Sequence, residues 1–185
     1  MNMDLDAMQA DMRRAYCGGG AGMLASSLVW TAAALVAMRG DAQHAIWTLL
    51  IGGMFIHPLG MLFAKLAGRS GMHRRDNPLA WLAGASTIWM IASLPLAYAA
   101  SRLHAEWFFA AMLLVIGSRY LVFETLYGLR VYRACGFALL AAGLLAGYLR
   151  LPPYAGAAAG AAIEAAFAIL ILLRDRAAVA ATGTA

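Results

Sequence analysis

The sequence predicts an all-α integral membrane protein of six transmembrane helices with both termini cytoplasmic, and three observations predict it. Of 185 residues, 63% are hydrophobic and only 12% are charged, with a mean hydropathy of +0.72. A soluble domain is roughly half apolar and about a quarter charged. Six apolar runs follow one another, each close to the roughly 20 residues that a helix needs to cross a hydrocarbon layer about 30 Å thick. Lysine and arginine fall unevenly between those runs, ten on one side against three on the other, with Arg119 inside a run. No Ser/Gly/Pro-rich linker or long polar stretch divides the chain, so a single six-span domain is expected.

Residues 1–16 form a cytoplasmic or interfacial tail. Met1, Leu5, Met8 and Met12 recur at helical spacing and would make one apolar stripe on a short helix lying at the interface. Asp4, Asp6 and Asp11 stand where a signal peptide would have a basic start, so none is expected. The first span covers 18–38 and the second 45–66. Within the second, Gly52, Gly53, Pro58 and Gly60 mark a helix break, because Pro58 has no N–H to give to the Met54 carbonyl and its ring crowds the preceding turn.

Asn77-Pro78 is a start signal for the third span, 78–98, with an N-cap residue followed by proline. The fourth covers 107–129. The fifth, 134–149, is the shortest and can extend back through Tyr132. Leu151-Pro152-Pro153 stops it and opens the sixth, 155–173, after which 174–185 is read as a cytoplasmic tail.

Orientation follows from the basic residues. Arg13, Arg14, Lys65, Arg69, Arg74, Arg75, Arg130, Arg133, Arg174 and Arg176 lie on one side, and Arg39, Arg102 and Arg150 on the other. Cytoplasmic loops are the basic ones, which puts both termini inside an inner membrane. Aromatic residues enriched at interfaces fit the same ends. Trp47, Tyr98, Trp107, Tyr148 and Tyr154 fall at the outer boundary, and Tyr16, Trp81, Tyr127 and Tyr132 at the inner one.

Gly18 with Gly22, Gly143 with Gly147 and Gly156 with Gly160 are small-xxx-small pairs that let helix backbones approach closely. They mark the first, fifth and sixth spans as interior or interfacial.

The candidate site is a layer of ionisable residues inside the spans: His57, Arg119, Glu124 and Glu164. Counted from span midpoints, His57, Arg119 and Glu164 fall within about one helical turn of the bilayer centre, and Glu124 lies about 7.5 Å further toward the cytoplasm. Ser26, Ser27, Ser86 and Thr87 add polar atoms at midplane. Intramembrane charges are expensive and face a partner, a cavity or a transported species. Arg119 keeps its proton and needs an acceptor, for which Glu164 is the expected partner. Glu124 is five residues from Arg119, about 140° around the helix. It is expected to face Tyr120, Tyr127 or a wet vestibule. A carboxylate left without a cationic partner would act as a proton carrier.

Other chemistry finds no support. There is no HExxH, GxSxG, Walker loop or Cys/His cluster, so neither an enzyme, a metal site nor a cofactor is expected. Cys17 and Cys135 are read as packing residues. His44, His73 and His104 are read as solvated loop residues. The net charge of +5 is scattered over short loops, which excludes a nucleic-acid interface. Besides the bilayer itself, the expected partners are anionic headgroups at Lys65, Arg69, Arg74 and Arg75 and further copies of the chain in a homo-oligomer. The simpler reading of that basic loop is that it only fixes orientation.

Three hairpins, each with its ionisable residue on the returning helix, hint at a threefold repeat. The stretch Phe55-Ile56-His57-Pro58-Leu59-Gly60, then Asn77-Pro78-Leu79, then Arg119-Tyr120 to Glu124 resemble a family of small bacterial multi-pass membrane proteins of unknown function. That resemblance covers most of the chain. It implies a six-helix membrane fold and supplies no substrate or catalytic residue. Two functional readings follow: a small transporter or permeation unit with a midplane polar site, or a non-transporting scaffold or sensor whose polar layer locks the helices.

Overall fold

The computed structural model describes residues 4–183, with side chains through Ala180. Every element among them is helical: α1 (Leu5–Tyr16), a short 3-10 turn (Cys17–Gly19), α2 (Gly20–Met38), α3 (Ala42–Leu66), α4 (Leu79–Leu103), α5 (Glu106–Tyr127), α6 (Val131–Tyr148) and α7 (Pro153–Gly183). Six of these segments are long and apolar enough to cross a membrane. Helices cover the six expected runs, and apart from the end of the last their ends fall within five residues of those read from hydropathy, some longer and some shorter. The last departs most. Helix α7 runs on through the segment read as a tail, and of that tail only 184–185 lie outside the described residues.

Packing order differs from sequence order. Helix α2 lies against α3 on one side and α7 on the other; α7 continues to α5 and α6; and α4 packs on the far side of α5. The most extensive contacts are α2 with α7 and α5 with α6, which cross the boundaries of the three hairpins, so a simple threefold repeat does not describe the bundle. Helices α3 and α4 are the least covered. Their outward faces, with Met54, Phe55, Ile88, Trp89 and Leu96, are apolar and exposed, as a lipid-facing surface requires.

Close approach is set by glycine. A Cβ on Gly60 would sit 2.8 Å from the Cα of Gly22, and one on Gly52 would strike Val29, so these two glycines let α3 lie directly on α2. Gly156 accepts the Phe109 side chain and Gly160 the Trp30 indole. Of the expected glycine pairs, Gly143 abuts the Ala110 carbonyl while Gly147 has only an ordinary contact. The chain stays helical through Pro58 and also through Pro95, so the proposed break in the second span is a loss of one hydrogen bond inside a continuous helix.

Helix α1 closes the end of the bundle where most arginines lie, hereafter the basic end. Met12 is buried and Met8 half-buried against the core, as the stripe predicts, while Leu5 stays exposed and Met1 lies outside the described residues. Polar contacts tie it down. Gln9 Nε2 donates to the Thr125 carbonyl at 2.8 Å, and Arg13 Nη1 to that of Tyr127 at 2.6 Å. Buried Asn77 donates to the Met8 carbonyl at 3.0 Å and to Asp11 at 2.8 Å, while its own Oδ1 accepts from Leu79 N–H at 3.0 Å and so caps α4. The Asn77 signal for the start of α4 is therefore also the clamp on α1.

Removing that clamp has a defined consequence. Asn77→Ala removes the side-chain donor to the Met8 carbonyl and to Asp11 and the acceptor of the Leu79 N–H, a loss of about 1–3 kcal/mol. Hydrogen exchange in residues 5–16 is expected to speed up about tenfold or more in detergent, with α5 and α6 unchanged. Unchanged protection across α1 would mean that apolar contact of Met8 and Met12 alone holds it.

The loops correct three smaller expectations. Tyr127 and Tyr132 are buried, so they belong to the core and not to an interfacial belt, whereas Trp47, Trp81, Tyr148 and Tyr154 are exposed at helix ends. His73 is not simply solvated, since its Nδ1 lies 2.8 Å from the Tyr16 hydroxyl. His44 packs back on Asp41, whose carboxyl caps α3 by accepting the His44 N–H and is held below its ordinary pKa by that bond. Cys17 and Cys135 are buried and unpaired.

Candidate functional site

The residues expected to form one polar layer do not meet. Arg119 and Tyr120 are consecutive on α5, so their side chains diverge by about 100° around the helix. Because α5 stands between α4 and α7, that divergence sends the guanidinium toward α4 and the phenol toward α7.

On the α7 side, Glu164 is fully buried, at 0% exposure. Tyr120 donates to its Oε1 at 2.9 Å, Ser26 of α2 lies beside it, and its Oε2 has no hydrogen-bond partner among the described residues. Rings wall it in. Toward the basic end, Tyr120 stacks on Tyr132 at 5.9 Å between centroids, Tyr132 stacks on Tyr127 at 5.3 Å, and Phe123 meets all three edge-on. The Tyr132 hydroxyl donates to the Gly18 carbonyl at 2.6 Å. That bond explains the 3-10 turn. Gly18 and Gly19 take φ of 63° and 86°, and a Cβ on Gly19 would collide with the Tyr132 hydroxyl and the Tyr127 ring. Toward the opposite end, Trp30 and Phe109 close the space over Gly160 and Gly156, and the Trp30 Nε1–H is also without a partner.

On the α4 side, Arg119 donates to Thr87 Oγ1 at 2.9 Å and to the Met90 sulfur at 3.3 Å, and its guanidinium lies 5.1 Å over the Phe123 ring. Its buried Nε has no partner. Among the described residues Arg119 forms no ion pair, so the expected Arg119 to Glu164 bond is absent, for the angular reason given above. A groove of about 380 Å³ between α4 and α5 reaches Arg119, with Leu82, Ser86, Trp89, Ser118 and Val122 on its walls.

The other two expected members lie elsewhere. Glu124 pairs with Arg133 at 3.1 Å, both side chains partly exposed, and takes no part in the layer. This fits its greater depth toward the basic end and replaces the expected tyrosine contact. His57 is exposed on α3 and makes no hydrogen bond among the described residues. Its depth matches Arg119, but α3 packs mainly on α2, through the Gly60 and Gly52 face, which leaves the His57 side of the helix uncovered. Of the residues around the break, Gly52 and Gly60 serve packing, and Gly53 borders open space.

Sequence reading missed Tyr120, Phe123, Met90 and Tyr132. Tyr120 had one available signal, adjacency to Arg119 in a span, since a buried phenol needs an acceptor. Thr87 and Ser26, noted for depth alone, become contacts. Among the described residues no group of three or more His, Cys, Asp or Glu is placed to hold a metal ion.

The model of a family of unknown function, DUF7010, matches residues 5–174, in agreement with the resemblance carried by residues 55–60, 77–79 and 119–124. No curated protein and no solved structure matches the chain.

Proposed function

We propose, on the premise that the chain belongs to the DUF7010 family of unknown function, that it is a small membrane carrier for an organic anion with an apolar body. The observation that carries the reading is the unneutralised Arg119. A guanidinium does not give up its proton in a protein, and in a low-dielectric layer a hydroxyl, a thioether and a ring face supply dipoles but no counter-charge. An anion is the partner this site lacks. The groove between α4 and α5 supplies the rest of the specificity, because Leu82, Trp89 and Val122 suit a hydrocarbon body while Ser86 and Ser118 suit its polar end.

Glu164 takes the proton in this reading. It sits across α5 from Arg119 with one oxygen unpartnered, so protonation there would balance the charge that an anion brings to Arg119. The reading includes an orientation with the basic end cytoplasmic in an inner membrane, supported by the ten-to-three distribution of lysine and arginine. It includes no catalysed reaction and no cofactor. It admits a homo-oligomer through the poorly covered α3 and α4.

The test uses an alkanesulfonate, because a carboxylic acid would cross lipid unaided in its neutral form. Butanesulfonate influx into proteoliposomes holding a pH-sensitive dye is expected to exceed that of protein-free vesicles and to carry protons inward. Arg119→Gln is expected to reduce influx to the protein-free level while eluting as wild type in detergent. Wild-type influx at the protein-free level, or an Arg119→Gln protein that transports normally, overturns the reading. A scaffold whose layer locks the helices would instead lose its fold when Arg119 or Glu164 is neutralised. The sealed surroundings of Glu164 are what favours that alternative.

A further inference from the structure

At the basic end, four arginines from three separate segments converge on one cavity of about 470 Å³. Arg13 and Arg14 come from α1, Arg69 from the loop after α3 and Arg174 from α7. The cavity contains one carboxylate. Asp175 accepts from Arg69 Nη2 at 2.7 Å, with both side chains less than a fifth exposed, and this pair fixes the loop against α7. Arg13 is held by its bond to the Tyr127 carbonyl, which uses one of its five N–H groups. Arg14 and Arg174 are exposed and have no carboxylate partner among the described residues. One carboxylate against four guanidiniums leaves three positive charges facing a single space.

The remaining wall is apolar, with Leu129 and Ile171 at its inner side. Cationic forks over a hydrocarbon wall, at the level where apolar helices end, match the root of a lipid. A phosphate monoester accepts paired N–H bonds from planar guanidiniums, and its acyl chains would leave along the apolar side. We infer that the cavity formed by Arg13, Arg14, Arg69 and Arg174 binds the phosphate-bearing headgroup of an anionic membrane lipid.

This differs from a general attraction of the basic loop to a membrane surface. Of the loop residues first expected to meet headgroups, only Arg69 lines the cavity; Arg74 is engaged by Asp76 at 2.8 Å, and Lys65 and Arg75 project into the open. The inference stands independently of transport, since it uses a different end of the bundle and different residues.

The test is lipid binding to the purified full chain in detergent, followed by native mass spectrometry. Dioleoyl phosphatidic acid is expected to bind at least about tenfold more tightly than dioleoyl phosphatidylcholine. Arg14→Gln/Arg174→Gln removes two exposed cations without touching the Arg69 to Asp175 pair, and is expected to weaken phosphatidic acid binding about 30-fold. Lys65→Gln/Arg75→Gln, with the same change in net charge, is expected to leave it unchanged. Equal losses in the two double variants would reduce the site to diffuse surface charge and overturn the inference. Equal affinity for phosphatidylcholine would do the same. Glycerol 3-phosphate binding as tightly as phosphatidic acid would show a soluble phosphate site and also overturn it.

Discussion

Glu164→Gln is expected to abolish proton movement by the reconstituted protein while leaving the bundle at least as stable as wild type. The substitution keeps the volume of a fully buried side chain, and the amide oxygen can still accept from the Tyr120 hydroxyl. Its NH2 replaces the carboxylate oxygen that has no partner. An ionised carboxylate in such surroundings is costly by several kcal/mol, so removing the charge relieves the fold. Only the capacity to bind and release a proton is lost. Proton uptake should fall to the level of protein-free vesicles, and the thermal midpoint in detergent should hold or rise.

A companion substitution separates the charge from its donor. Tyr120→Phe keeps the ring stack on Tyr132 but removes the phenol's hydrogen bond to Glu164, and should destabilise by about 1–3 kcal/mol. If Glu164→Gln unfolds the protein, the carboxylate is a structural lock and the carrier reading fails. If Glu164→Gln stays folded and still moves protons, Glu164 is not the proton site.

Gly117→Val is expected to be strongly destabilising. A Cβ at position 117 would lie 2.9 Å from the Gly136 carbonyl oxygen and 3.0 Å from the Leu140 backbone nitrogen, and one at Gly136 would lie 2.8 Å from the Gly117 carbonyl oxygen. Helices α5 and α6 therefore touch backbone to backbone, and turning aside the nearby Leu140 and Leu121 side chains would not relieve that contact. The whole α6 helix must shift to admit a larger residue. Helices in lipid associate through such close contact, without a hydrophobic drive of the kind water supplies. A cost of about 3 kcal/mol or more follows from overpacking that rotamer changes cannot relieve. Titration with SDS should bring unfolding to a clearly lower detergent fraction than in wild type. Gly22→Ala makes the control, because a Cβ there meets nothing within 4 Å, and it should behave as wild type. Equal midpoints for the two variants would mean that α5 and α6 are not in close contact.

The glycine pattern illustrates how far the sequence can be read. Gly18, Gly22, Gly143, Gly147, Gly156 and Gly160 stand at a spacing that announces close packing, and Gly143, Gly156 and Gly160 do sit under a neighbour's backbone or aromatic side chain. Yet Gly117 and Gly136, on two different helices, also meet backbone to backbone, and no small-xxx-small spacing within either helix marks them. A pattern within one helix reveals which face can approach another helix. It does not reveal which helix comes.

The same division runs through the site. Composition and span length alone determined an all-helical chain with six segments able to cross a membrane, because hydrocarbon admits only helices or closed barrels and continuous apolar runs of about 20 residues fit helices. Helical rise put Arg119 and Glu164 at one depth, and adjacency put Tyr120 beside Arg119. What depth could not supply was azimuth. Whether two residues at one level touch depends on which helices are neighbours and how each is rotated, and both are fixed by long-range contacts such as Gly60 on Gly22 and Gly117 on Gly136. The tertiary structure thus turned Glu164 to Tyr120 and Arg119 to Thr87, left His57 on an uncovered face, paired Glu124 with Arg133, and gathered Arg13, Arg69 and Arg174 from three distant segments around one cavity.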